Sequence, residues 1–283
     1  MKDTLFSVKK TLNIKGILYP LDKPRVMGII NVTPDSFYAD SRIGKEKELL
    51  MVVEEMLENG ADFIDLGGYS SRPGAKEISE EEEYERIIPA IRSILNHFPE
   101  TLISVDTFRS TIARQGINEG AVMINDISGG QLDDQMFKTV AETGVPYVLM
   151  HMKGNPQTMS SQTEYDNLFK EMGLFFNERV SELNNLGVSD IILDPGFGFS
   201  KSLDQNYELL KNFTYFEVIG YPLLVGLSRK SMIFRLLDVQ PSEALNGTTI
   251  LNTIALLKKA SILRVHDIKE AVQVIKLIEK LDL

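Results

Sequence analysis

Eight short runs rich in β-branched and aliphatic residues recur along the chain, each followed by a stretch with helical spacing. They are VMGIINV (26–32), ADFIDLG (61–67), TLISVDT (101–107), AVMINDI (121–127), PYVLMHM (146–152), DIILDPG (190–196), PLLVGLS (222–228) and SILRVHD (261–267). Between them lie amphipathic segments such as 45–60, 79–98 and 164–187, and 267–281 reads as a closing helix. Near-continuous apolar strands imply a sheet buried on both faces, and alternation with helices implies parallel βα units. Eight such units over roughly 250 residues predict a (β/α)8 TIM barrel. An open doubly wound sheet is the alternative reading.

Residues 1–25 precede the first barrel strand. There TLNIKGILYPLD sets turn residues between short apolar pieces, which predicts a small hairpin covering the N-terminal end of the barrel. The expected division is therefore a short extension, 1–25, and a barrel, 26–283. A chain of 283 residues with 43% hydrophobic content can bury a core of this size. The acidic run Glu80–Glu83 reads as the solvated first turn of a helix, where carboxylates complement the dipole.

The formal charge of −10 argues against a general nucleic-acid binder. An anionic substrate would need a locally basic site. No cysteine is present, so disulfides, thiolate metal sites and cysteine nucleophiles are excluded. No apolar run reaches the roughly 20 residues that span a bilayer. The N-terminal MKDTLFSVKKTLNIKG lacks the apolar segment of a signal peptide. A cytoplasmic protein without membrane contact is the expectation.

Polar residues collect where the predicted strands end: Asn31, Asp65, Asp106, Asn125-Asp126, His151, Asp194, Ser228-Arg229-Lys230, and Arg264 with His266. In a barrel these ends converge on one face, where active sites sit. Asp126, Ser128 and Asp267 read as local caps for the following helix. Asp65, Asp106, Asn125 and Asp194 do not, because each lies within apolar sequence and a buried carboxylate must be paired. A polar ligand held by this rim is the implied partner.

Of three histidines, His97 at a helix end reads as structural, and His151 is open between a satisfied core residue and a ligand contact. Arg264 and His266, at i and i+2, share a face of their strand beside a helix N-terminus, which predicts a phosphate site. No histidine spacing suits zinc. If a metal is used, Mg²⁺ held mainly by substrate phosphate and water fits better. Lys230 has two readings, a Schiff-base lysine or a charged donor to a ring and a carboxylate. The backbone N–H groups of SRKS, with Ser231, could take that carboxylate.

Seven segments in order, GIINVTPDSF, DLGGYSSRPGA, INDISGG, LMHMKGNPQTM, LDPGFGFSKSLDQNYELL, LLVGLSRKSMI and RVHDIKEAV, resemble the dihydropteroate synthase family of pterin-binding enzymes. The resemblance runs from about residue 26 to 275. It implies a (β/α)8 barrel, usually a homodimer, that joins 6-hydroxymethyl-7,8-dihydropterin pyrophosphate to 4-aminobenzoate and releases pyrophosphate. It implies that Asp106, Asn125, Asp194 and Lys230 hold the pterin, with Phe199 and Gly226 flanking the rings. Asn31, Arg264 and His266 would hold pyrophosphate and Mg²⁺. Ser71 and Arg72 would add to the pyrophosphate side. Phe37 and Pro73, in the first two βα loops, would form the aminobenzoate pocket with Lys230 and Ser231. Asp106, Lys230, Arg264 and His266 would carry the chemistry.

On this reading Phe37 sits in a polar loop because its packing partner is the second substrate; packing on a neighbouring loop is the plainer alternative. One departure from the family pattern is Tyr69, where members often have Glu. The rival readings are a methyltetrahydrofolate-type corrinoid methyltransferase, a Schiff-base aldolase, and a catalytically silent pterin-binding paralogue.

Overall fold

The computed structural model describes residues 8–33, 42–69 and 77–281. Its first elements are strands β1, Thr11–Ile14, and β2, Ile17–Pro20, paired antiparallel. Lys15 and Gly16 join them with φ of 52° and 81°. Two consecutive positive φ values make the tight two-residue turn whose twist matches a hairpin.

The barrel strands follow: β3, Arg25–Asn31; β4, Phe63–Gly67; β5, Ile103–Asp106; β6, Met123–Asp126; β7, Tyr147–Met150; β8, Ile191–Asp194; β9, Leu224–Val225; and β10, Ile262–Val265. They form one parallel sheet in the order β8-β7-β6-β5-β4-β3-β10-β9. A parallel bridge between Leu193 and Leu223 joins its two outer strands and closes the ring. Seven of the eight strands lie within their predicted runs, and β3 starts one residue before its run, at Arg25. β9 keeps only two residues of its run, since Pro222 has no N–H to give the ladder; its carbonyl instead accepts from Leu193 N–H at 2.9 Å.

The intervening helices are α1, Arg42–Glu58; α2, Glu80–His97; α3, Ser110–Asn118; α4, Met136–Thr143; α5, Leu168–Asn185; α6, Leu203–Lys211; α7, Ser231–Leu237; α8, Leu245–Leu257; and α9, Ile268–Leu281. Their starts are legible. Ser79 caps α2 by accepting from Glu82 N–H, and Ser202 with Gln205 makes a reciprocal capping box on α6. The acidic start of α2 corrects one expectation. Glu80, Glu81 and Glu82 are exposed, but Glu83 is fully buried. Its carboxylate accepts from Thr107 Oγ1 at 2.6 Å and pairs with Arg109, tying α2 to the start of α3. Helical periodicity turns every fourth residue of that run inward.

The hairpin covers the N-terminal end of the barrel, as predicted. Leu12, fully buried, and Ile14 join a cluster with Met27, Phe63, Val148, Ile192, Leu224 and Ile262 from the barrel interior. That end is sealed by packing. The opposite end is left to the polar residues.

Candidate active site

Asn31, Gly67, Asp106 and Asn125 stand in one register row across the C-terminal ends of β3, β4, β5 and β6. Gly67 lets the row draw together. A Cβ there would lie 3.3 Å from Asp106 Oδ2 and 3.6 Å from Asn31 Oδ1. Two residues earlier on β4, Asp65 is completely buried on the same face.

Arg264 of β10 crosses this row. Its Nε donates to Asp65 Oδ2 at 2.6 Å and its Nη2 to Asp106 Oδ2 at 2.6 Å. Asn125 Nδ2 donates to the same Asp65 oxygen at 2.9 Å. Asp65 thereby gains the pairing that a buried carboxylate requires. Its Oδ1 has no hydrogen-bond partner among the described residues. Burial pushes Asp106 up to about 7; the Arg264 guanidinium opposes that rise and the Asp65 charge adds to it.

The other half of the mouth is built on β8 and β9. Asp194 ends β8, and Gly196 N–H donates to its Oδ1 at 2.7 Å. Burial raises the Asp194 pKa, with the Gly196 N–H and then Lys230 acting against it. The loop 195–200 turns back so that the Phe199 ring lies 4.1 Å from Lys230 Nζ. Burial, then the nearby Arg264 charge, pushes the Lys230 ammonium down to about 8. Lys230 occupies the N-cap position of α7 without a side-chain capping bond, and Ser231 is the first residue of that helix. Gly226 has open space where a side chain would stand.

Arg264 and His266 both reach the mouth but find different partners. Arg264 turns to β4 and β5. His266 Nδ1 lies 3.0 Å from Ser228 Oγ, which also accepts the His266 backbone N–H at 3.2 Å. The serine hydroxyl hydrogen is then available to Nδ1.

Several strand-end residues are structural. Asp126 accepts from Ser128 N–H at 2.7 Å, Gly130 N–H at 2.8 Å and Tyr147 OH at 2.7 Å, so it braces its own loop and the side chain of Tyr147. Neither it nor Ser128 caps the next helix as expected, since α4 starts at Met136 with Gln135 at its N-cap. Ser128 belongs to that turn. Asp267 precedes α9, but its carboxylate takes Arg229, with Nη2 to Oδ1 at 2.5 Å and Nε to Oδ2 at 3.1 Å, instead of acting as a cap. His151 is the satisfied core residue of its two readings. It is buried edge-on against Phe175, with Nδ1 3.2 Å from Lys201 Nζ. His97 Nδ1 bonds to Ser93 O at 2.9 Å within its own helix. Tyr69 is buried, its hydroxyl bonded to Gln157 and its ring edge-on to Phe108. Phe37, Ser71, Arg72 and Pro73 lie outside the described residues.

Among the described residues the mouth thus holds three carboxylates, Asp65, Asp106 and Asp194, against two cations, Arg264 and Lys230, with a third, Lys201, just behind. Carboxylates at its floor suit the donor edge of a flat heterocycle, and the cations suit an anionic group. The sequence pattern of the pterin binding enzyme family matches residues 27–266. The chain belongs to the dihydropteroate synthase family of pterin-binding enzymes.

Among its relatives, the dihydropteroate synthase of Escherichia coli strain K12 is 44% identical over 270 residues, 94% of each chain. The crystal structure of the Yersinia pestis dihydropteroate synthase with a sulfonamide drug complex superposes with a TM-score of 0.89, 38% identity and coverage of 96% and 99%. The Xanthomonas albilineans dihydropteroate synthase with 4-aminobenzoic acid gives a TM-score of 0.89 at 35% identity, covering 96% and 98%. Nothing in the sequence marks Asp65 as the residue that bridges Arg264 and Asn125. Its signal is a carboxylate set within an apolar strand, which calls for a partner without naming one.

Proposed function

We propose that this chain is a dihydropteroate synthase, joining 6-hydroxymethyl-7,8-dihydropterin pyrophosphate to 4-aminobenzoate to give 7,8-dihydropteroate and pyrophosphate. The observation that carries this reading is Arg264 spanning Asp65 and Asp106 across the barrel mouth, opposite Asp194 and Lys230. A pterin needs carboxylates for its guanidine-like edge and a cation beside its carbonyl. Asp194 serves the first and Lys230 the second, with Asn125 completing the set and Phe199 and Gly226 flanking the rings.

The reaction breaks the bond between the pterin methylene and the pyrophosphate oxygen, and the pair of electrons leaves with pyrophosphate. The electron-rich dihydropterin ring stabilises the cation left behind, so the displacement is SN1-like. Asp106, ionised, faces that developing positive charge, while Arg264 and His266 take the departing negative charge. The amine of aminobenzoate then attacks the methylene and loses one proton. No strong general base is required, because an aromatic amine is already neutral at pH 7.

Mg²⁺ fits the residues present. Asn31 Oδ1 stands at the mouth beside Asp106 Oδ2, across the space that Gly67 leaves. A neutral oxygen donor suits a cation carried mainly by phosphate and water. Bound there, the ion would neutralise charge on the leaving group. Ser71 and Arg72 belong to the same pyrophosphate side, and Phe37, Pro73, Lys230 and Ser231 to the aminobenzoate pocket. A homodimer in the cytoplasm, with residues 1–25 as a short extension of the barrel 26–283, completes the reading. No helix among the described residues is long and apolar enough to cross a membrane.

Incubation with both substrates and Mg²⁺, with dihydropteroate followed by mass, tests the proposal. Pterin binding without product would instead support a silent pterin-binding paralogue or a methyltransferase.

A further inference from the structure

Behind the pterin half of the mouth lies a buried cation that the proposed reaction does not use. Lys201 is 7% exposed. Its Nζ lies 3.1 Å from Gly196 O, 3.0 Å from Phe199 O and 3.2 Å from His151 Nδ1. An ammonium has three protons, and these three acceptors use all of them. Burial lowers the Lys201 pKa to about 7 and that of His151 well below its usual value. Below about pH 7 Lys201 is therefore an ammonium facing a neutral imidazole, which accepts at Nδ1 and carries its proton on Nε2.

The two carbonyls belong to the loop that builds the site. The N–H of Gly196 donates to Asp194 Oδ1 at 2.7 Å, and the ring of Phe199 faces Lys230. The loop is tightly wound. Gly196, Gly198 and Ser200 have φ of 70°, 80° and 50°. A Cβ on Gly196 would stand 2.2 Å from His151 O, so the turn rests directly on the end of β7. A loop folded around its own lysine ammonium, and backed by a histidine from the end of the neighbouring strand β7, has its carbonyls turned inward. Its N–H at Gly196 is thereby left for Asp194.

We propose that Lys201, seated on His151, is a positioning residue for pterin binding: it holds the loop 195–200 so that Asp194 and Phe199 meet the pterin ring together. The inference rests on the pterin-barrel reading above. Lys201 itself does not touch the substrate. Losing its charged hydrogen bonds should cost pterin affinity and leave the aminobenzoate side nearly unchanged, because that pocket is assigned to other loops. The charged and titratable groups around Lys201 are Asp194 at the end of β8, Lys230 before α7, and Lys153 and His151 after β7.

The test is calorimetric titration of wild type, Lys201→Met and Lys201→Arg with 6-hydroxymethyl-7,8-dihydropterin pyrophosphate, together with KM for 4-aminobenzoate. Lys201→Met should weaken pterin binding about ten- to a hundredfold, the range for losing charged hydrogen bonds. KM for aminobenzoate should stay within about twofold, and Lys201→Arg should recover part of the pterin affinity. Unchanged pterin affinity in Lys201→Met, or equal losses for both substrates, would overturn the assignment. Should Lys201→Met fail to fold, His151→Leu carries the test, since it keeps the cation and removes one acceptor. Pterin affinity lowered about threefold or more supports the role, and wild-type affinity overturns it. A wild-type chain that binds no dihydropterin would defeat the pterin reading itself, a separate result.

Discussion

Arg264 donates its Nε to Asp65 Oδ2 at 2.6 Å, joining residues 199 positions apart in the chain. The contact ties the last barrel strand to the second across the mouth. Asp65 is wholly buried, so its removal strands a guanidinium that is itself largely covered. Removing one partner of a buried pair costs roughly 3–5 kcal/mol. Arg264 keeps Asp106, so Asp65→Ala should lower unfolding free energy by about 3 kcal/mol, the lower end of that range. Urea denaturation followed by circular dichroism checks this. A loss under about 1 kcal/mol would mean that Asp106 alone satisfies the arginine.

Activity should follow a bell-shaped pH profile in kcat/KM. Asp106 is raised to about 7, so its carboxylate forms only as pH rises through that value. Lys230 is lowered to about 8, so its ammonium is lost as pH rises further. The acid limb therefore belongs to Asp106 and the alkaline limb to Lys230. Lys230→Arg should move the alkaline limb upward and leave the acid limb in place. The same raised pKa has a stability consequence. Folded Asp106 keeps its proton above the unfolded value, so its contribution is greatest at low pH and declines as pH rises toward 7.

Arg264→Ala should separate leaving-group chemistry from pterin recognition. Loss of one charge-stabilising donor in a preorganised site costs about 10²–10³ in kcat. Affinity for the pterin alcohol, which lacks pyrophosphate, should change much less. Single-turnover pyrophosphate release and equilibrium titration with the alcohol measure the two quantities. Equal losses would count against this division of roles.

The hairpin should matter to stability and not to chemistry. Leu12 is fully buried against the interior of the barrel's closed end. Leu12→Ala should cost about 2–5 kcal/mol, the range for a leucine deleted from a packed core. Below the new melting temperature, kcat and KM should match wild type. A changed kcat would couple this end of the barrel to the mouth.

Much of this architecture is legible in the order of residues. Parallel strands buried on both faces carry continuous apolar runs, which is why β4 to β10 fall inside the predicted segments and β3 oversteps its segment only by Arg25. The hairpin announced itself through Lys15-Gly16 between apolar pieces. Strand-end polarity located the rim as well, since Asn31, Asp106, Asn125, Asp194, Lys230 and Arg264 lie at strand ends or just past them. Partnerships were not legible. Asp267 reads as a cap until Arg229 is seen beside it, and Glu83 reads as solvated until α2 is turned toward Thr107. Lys201 follows a Gly-Phe-Ser turn and looks like any exposed loop lysine. Its burial depends on how that turn winds, a tertiary property that local spacing does not encode.

The most direct test of the proposed activity is dihydropteroate formation, followed by mass, from dihydropterin pyrophosphate with Mg²⁺, with and without 4-aminobenzoate. Product that appears only with both substrates, matched by one pyrophosphate released per turnover, is the expected result. Tight pterin binding with no dihydropteroate at any aminobenzoate concentration would contradict it.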